Sequence, residues 1–127
     1  MRLIVTDQLS LPVPTDLRYE ATDPYAVRVV FHVTDEQTVQ WLFARQLLID
    51  GMHQLSGTGD VGIWPSRSDG RDVICISLSS DTGEALLEAP ARALASFLRR
   101  TQAAVPPGTE SQHIDVNDAI VHLLADS

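Results

Sequence analysis

SSDTGEALLEAPARALASFLRRT, residues 79–101, decides the fold of this chain, because a turn, a strand and a long amphipathic helix succeed one another there with nothing in between. Asp81, Thr82 and Gly83 are turn chemistry, with Gly83 free to take a positive φ. Ala85, Leu86 and Leu87 read as a strand. Pro90 suits a first helical position, where the missing N–H costs nothing. Ala91, Leu94, Ala95, Phe97, Leu98 and Thr101 then recur at helical spacing, while Arg92, Ser96, Arg99 and Arg100 fall on the opposite side. The pattern predicts a helix over about 90–104, ending before Pro106, Pro107 and Gly108. The chain before this junction reads as sheet, and the chain after it as helix.

Toward the start of the chain, Leu3, Val5 and Leu9 alternate with Arg2, Thr6 and Gln8 as one first strand, with an extended loop after it at Pro12 and Pro14. Leu17 and Tyr19 mark a short second strand. Tyr25, Val27, Val29, Phe31 and Val33 point one way, with Arg28 and His32 opposite, the clearest strand in the chain. Val39, Trp41 and Phe43 continue the meander, with Trp41 expected in the core. Near 45–54 the period changes to that of a helix through Leu47, Leu48 and Met52, and Gly51 is expected to weaken it by about 1 kcal/mol relative to alanine. Two strands come next at Val61–Pro65 and Asp72–Leu78, separated by a polar loop at Ser66–Gly70. The second is apolar on both faces and calls for cover on both. Toward the other end, Val116, Ala119, Ile120, Leu123 and Leu124 form an apolar stripe behind an Asp115 cap, predicting a helix over about 115–125. So short a terminal helix must dock on something to be stable. Residues 1–127 read as one α+β domain, with strands to about residue 88.

Composition narrows the function classes. Nine basic residues, all arginine, face seventeen acidic ones for a net charge of -8, which argues against sequence-independent binding to phosphate backbones. No apolar run approaches the ~20 residues that span a bilayer, and Met1–Leu9 is too short and too interrupted by Asp7 for a signal peptide. The lone Cys75 sits in an apolar strand and reads as a buried structural thiol in a reducing cytoplasm.

Candidate chemistry is sparse. Gly57, Gly59 and Gly62 match G-x-G-x-x-G, but a dinucleotide site needs a helix to open there, and Pro65 opposes one. A turn into a strand is the better reading. The histidines His32, His53, His113 and His122 are not spaced as metal ligands, and one cysteine gives no zinc framework, so neither metal nor cofactor is expected. His32 beside Asp35 and Glu36 is the weak case for acid–base work; solvated turn carboxylates are the plainer account. Trp64 with Arg67 has the composition of a binding hot spot, and Arg92, Arg99 and Arg100 could meet an acidic partner.

The strings LPVP (11–14), LRY (17–19), DPYAV (23–27), VQWLFARQLL (39–48), GTGDV (57–61), WPSRS (64–68), LSS (78–80), GEALLEAPA (83–91), FLRRT (97–101) and VPPGTE (105–110) run in order along nearly the whole chain. Together they resemble the SsgA-like proteins of sporulating actinomycetes. The resemblance implies a fold akin to the Whirly proteins, with two antiparallel sheets packed at a steep angle and helices supporting a homo-oligomer, a trimer or tetramer. It implies a non-enzymatic cell-division protein that marks septum sites in the cytoplasm and recruits the tubulin-like FtsZ together with an SsgA-type paralogue. The Whirly relatives suggest the alternative, a single-stranded nucleic-acid binder, which would need stacking aromatics on a basic groove. Only Trp64, Tyr19 and Tyr25 are available as platforms.

Leu94, Leu98, Ile120, Leu123 and Leu124 are the expected interface between copies, and Trp64, Arg67, Arg92 and Arg99 the expected partner contacts. Leu123→Asp should then lower the apparent mass in size-exclusion chromatography while circular dichroism stays native; an unchanged elution volume would remove that stripe from the interface.

Overall fold

A computed structural model describes residues 1–114; the helix expected over 115–125, with Ile120, Leu123 and Leu124, lies outside the described residues. Eight strands form two antiparallel sheets. Strands β1 (Arg2–Ile4), β2 (Ser10–Pro12), β6 (Val61–Ser68), β7 (Arg71–Ser80) and β8 (Gly83–Pro90) make a five-stranded sheet in the order β2-β1-β8-β7-β6. Strands β3 (Thr15–Arg18), β4 (Ala26–His32) and β5 (Thr38–Ala44) make the second, in the order β3-β4-β5. Helix α1 (Arg45–Gly51) follows β5 directly, α2 (Ala91–Ala104) follows β8 directly, and a 3-10 turn occupies Glu110–Gln112.

The core lies where the sheets face each other. Val27, Val29, Phe31 and Phe43 from the three-stranded sheet meet Ile63, Ile74, Ile76, Leu78 and Leu87 from the five-stranded one, and Leu48, Leu94, Phe97 and Leu98 from the helices complete one cluster. The period-two alternation read from the sequence places these residues on the inner faces. Pro90 is one residue earlier than expected, at the helix N-cap with φ -59° and ψ 126°, so the last residue of β8 is also the cap of α2.

Several elements depart from the sequence reading. The single first strand is a hairpin: Thr6 Oγ1 accepts from the N–H groups of Gln8 and Leu9, and the chain reverses so that β1 and β2 pair. The alternation runs on through this turn because Val5 and Leu9, both half exposed, happen to fall in phase. The polar loop at Ser66–Gly70 is mostly strand. β6 runs to Ser68, and only Asp69 (φ 52°) and Gly70 (φ 76°) make the turn, the two-residue connection with positive φ that matches strand twist. Polar side chains suit the free end of that hairpin, where neither face meets the core. The glycine-rich stretch behaves as a turn into β6: Gly57 and Gly59 take positive φ, and no helix opens after them. Of the doubly apolar β7, Ile74, Ile76 and Leu78 face the core, while Cys75 is buried on the other face between its register partners Trp64 and Glu88. Burial pushes the Cys75 thiol up, helped by the nearby Glu88 carboxylate, so it stays protonated and unreactive.

Gly51 reverses its expected role. A Cβ there would overlap the Ile63 side chain, lying 2.7 Å from its Cβ, so glycine is what lets α1 press against β6. Gly51→Ala should therefore destabilise the protein by about 1–3 kcal/mol through overpacking, opposite in sign to the gain of about 1 kcal/mol from helix propensity. Urea midpoints for the two proteins decide between these signs.

Candidate protein-docking site

A buried arginine fixes the geometry on which any surface of this molecule rests. Arg45 opens α1 with its side chain 2% exposed. Its Nη1 donates to the carbonyls of Thr101 (3.1 Å) and Val105 (2.7 Å), and its Nη2 to Glu110 Oε1 (2.8 Å). The Thr101 carbonyl also accepts the capping N–H of Val105 at 2.9 Å, and a cation there meets the negative pole of the helix. The guanidinium lies over the Tyr19 ring at 5.2 Å from the centroid, while the Tyr19 hydroxyl donates to the Pro24 carbonyl at 2.8 Å. Burial raises the Tyr19 pKa, keeping the phenol a donor. The Glu110 carboxyl is held below its ordinary range by its own backbone N–H and then by Arg45; its other oxygen accepts from the Gly108 N–H at 2.8 Å.

At the other end of the sheets the sandwich is open. A cleft of about 340 Å³ is walled by Phe31, Val33, Val39 and Trp41 from the β4–β5 hairpin and by Leu78, Ser80, Thr82, Gly83, Glu84, Ala85 and Leu87 from β7–β8, with Leu3 and Val13 at its side. Trp41, expected in the core, is half buried as a wall of this cleft and stacks on Phe43 at 6.3 Å between centroids. It stays only half covered because β5 is the last strand of its sheet. The volume falls in the ordinary range of ligand sites, and the lining is mainly apolar.

The residues expected to make contacts are dispersed. Leu94 and Leu98 are buried in the chain's own core and are not surface. Trp64 and Arg67 lie on one strand an odd number of positions apart, so they point to opposite faces of the sheet and do not form one patch. Trp64 lines a shallow depression with Gln54, Leu55 and Pro65, whereas Arg67 pairs with Asp72 at 3.2 Å in solvent. Arg92 and Arg99 are both exposed on the outer side of α2, two turns apart. Of the possible base-stacking platforms, Tyr19 is already covered by Arg45.

His32 does not meet Asp35 or Glu36. Its Nε2 lies 2.9 Å from Asp16 Oδ2 across β3–β4, and this contact, followed by Arg18, holds the Asp16 carboxyl below its usual range. Thr38 is the register partner of His32, whereas Asp16 lies diagonally, opposite Val30, so acid, imidazole and hydroxyl share the outer face of the sheet. That face is open, and none of the three residues lines the cleft. Among the described residues no group of His, Cys, Asp and Glu gathers to hold a metal ion, and no helix is long and apolar enough to cross a membrane.

Comparison with known proteins gives this architecture its relatives. The family model described as Streptomyces sporulation and cell division protein, SsgA, matches residues 13–110. The chain belongs to the SsgA family. The sporulation-specific cell division protein SsgB of Streptomyces coelicolor is 61% identical over 127 residues, covering 100% of this chain and 93% of that protein. The SsgB of Frankia casuarinae is 44% identical, over 98% of this chain and 87% of that one. A solved structure, reported with mutations in SsgB that correlate to longitudinal cell division during sporulation of Streptomyces coelicolor, has a TM-score of 0.87 at 64% identity, covering 89% of each chain. The crystal structure of an SsgA-like sporulation-specific cell division protein from Thermobifida fusca has a TM-score of 0.84 at 43% identity, over 95% of this chain and 88% of that one. The described residues thus form a mixed α+β fold with two antiparallel sheets and two helices, matching the α+β class and the pair of sheets expected from the resemblance. The Arg45 clamp, absent from the sequence reading, is visible there only as a charge embedded in the apolar run from Val39 to Leu48.

Two outcomes test the clamp. Arg45→Met should cost about 3 kcal/mol or more, because Glu110 and the Val105 carbonyl lose the donor that Arg45 supplies and the Thr101 carbonyl loses one of its two, with the loss read from chemical denaturation. Because the folded-state pKa of Glu110 is depressed, its contribution is present above the ordinary value of 4.5 and is lost as pH falls through the lower folded value. Wild type should therefore lose more stability on acidification through this range than Glu110→Gln does; equal losses would exclude the carboxylate from the clamp.

Proposed function

We propose that this SsgA-family protein is a non-enzymatic adaptor of sporulation-associated cell division, which marks septum sites and recruits the tubulin-like FtsZ through protein contacts. The observation that carries the reading is full-length identity of 61% to a protein named for sporulation-specific cell division. In support, the polar side chains that could carry chemistry lie on an open sheet face, whereas the concave surface is apolar, as suits a protein partner better than a polar substrate. The adaptor works as a homo-oligomer in the cytoplasm, alongside an SsgA-type paralogue. A net charge of -8 disfavours the nucleic-acid alternative. Pelleting the purified protein with and without FtsZ filaments tests recruitment. Saturable co-sedimentation is the expected result, and a protein left wholly in the supernatant at low salt would refute direct recruitment.

A further inference from the structure

Among the described residues, strand β5 is an unprotected edge. Four strands end the two sheets, and three carry the devices that discourage pairing with a foreign strand: β2 has Pro12, β3 has Asp16 and Arg18, and β6 has Pro65 and Arg67. β5, seven residues reading TVQWLFA, has neither charge nor proline. Its free groups can be identified. Arg45 N–H donates to the Tyr25 carbonyl and Val33 N–H to the Gln37 carbonyl, so the bonded pairs between β4 and β5 fall at odd-numbered residues. The N–H and C=O groups of Thr38, Gln40 and Leu42 therefore point away from β4, where the sheet order supplies no further strand among the described residues. Val39 and Leu42 are 45% and 58% exposed.

The same strand borders the apolar cleft through Val39 and Trp41, and the hairpin tips at the mouth of that cleft are acidic. Glu84 lines it. Asp81 lies between the lining residues Ser80 and Thr82, and Asp35 and Glu36 form the exposed turn between Val33 and Val39. None of the nine arginines lines it.

We infer that β5 and the adjoining cleft bind an extended basic segment of a partner protein, which adds to the sheet as a further strand. Its backbone pairs with Thr38, Gln40 and Leu42, alternate apolar side chains enter the cleft beside Val39 and Trp41, and its Arg or Lys residues meet the acidic hairpin tips. The acidic hairpin tips and a net charge of -8 disfavour a second copy of this chain at the site. The inference rests on the chain being a docking protein, not on which protein docks.

A random-peptide display library selected on the immobilised protein is the test. The expected winners carry apolar residues at alternate positions with Arg or Lys beside them. As synthetic peptides they should bind about tenfold more weakly to Ala85→Phe, which fills the cleft, and to Gln40→Pro, which deletes an outward N–H. On binding, hydrogen exchange should slow at the amides of Thr38, Gln40 and Leu42 and stay unchanged at Val39 and Trp41. Circular dichroism identifies any variant that fails to fold, and the exchange pattern in wild type needs no variant. No enrichment, acidic or helically spaced winners, undiminished binding to both variants, or edge amides already slowed in the free protein by a second copy would each overturn the inference. FtsZ pelleting run on the same preparations separates the two readings: pelleting retained without peptide binding removes this site alone.

Discussion

The placement of a single charge, the Arg45 guanidinium, underlies the arrangement of both sheets. Taking it out of water is costly, and the cost is offset only if its donors find acceptors with good geometry. It does so by spanning the end of α2, the chain beyond it and the 3-10 turn at once, with the Tyr19 ring beneath. A lysine has neither the planar fork to reach two carbonyls and a carboxylate together nor the broad face that stacks on an aromatic ring. Because Arg45 follows β5 and α2 follows β8, the clamp joins the end of one sheet to the continuation of the other. The apolar core supplies the general attraction between the sheets, which has no direction of its own; the arginine fixes where α2 ends against them.

Much of this architecture could be read from the residues. β4 and α2 were evident because each buries one continuous face, so periodicity and burial coincide. The glycine-rich loop was also legible, because proline in the strand after it forbids a nucleotide-binding helix. The clamp was not, since its acceptors come from 56 to 65 positions later in the chain and are mostly backbone carbonyls. No sequence pattern marks an orphan carbonyl. Gly51 was misread for a related reason: its value lies in the approach of Ile63, a tertiary contact, whereas propensity describes the helix alone. The Asp69–Gly70 hairpin was available as a two-residue signal, but the polar residues ahead of it resembled a loop.

The site residues show the same division. Helical spacing identified the apolar face of α2 correctly, but spacing cannot say whether such a face meets its own sheet or a neighbour. Leu94 and Leu98 meet their own. Strand parity, a purely local rule, would have separated Trp64 from Arg67 had β6 been read through to Ser68. Much of the apolar surface that remains exposed sits on strands and hairpins, with Val5, Leu9 and Leu11 around β1–β2 and Val33, Val39 and Leu42 around β4–β5, while Leu55 lies in the loop after α1. Sequence alternation places such residues on a face, and only the pairing order shows that the face ends at a free edge.

The absence of any loop between β8 and α2 has a mechanical consequence. Pro90 closes the strand and caps the helix in one residue, with its φ locked by its own ring, so the junction has few torsions with which to absorb a twist. Force applied to the outer arginines of α2 would pass directly into β8, the strand that carries Ala85 and Leu87. In an assembly under load, the helix would act as a lever arm on the mouth of the sandwich.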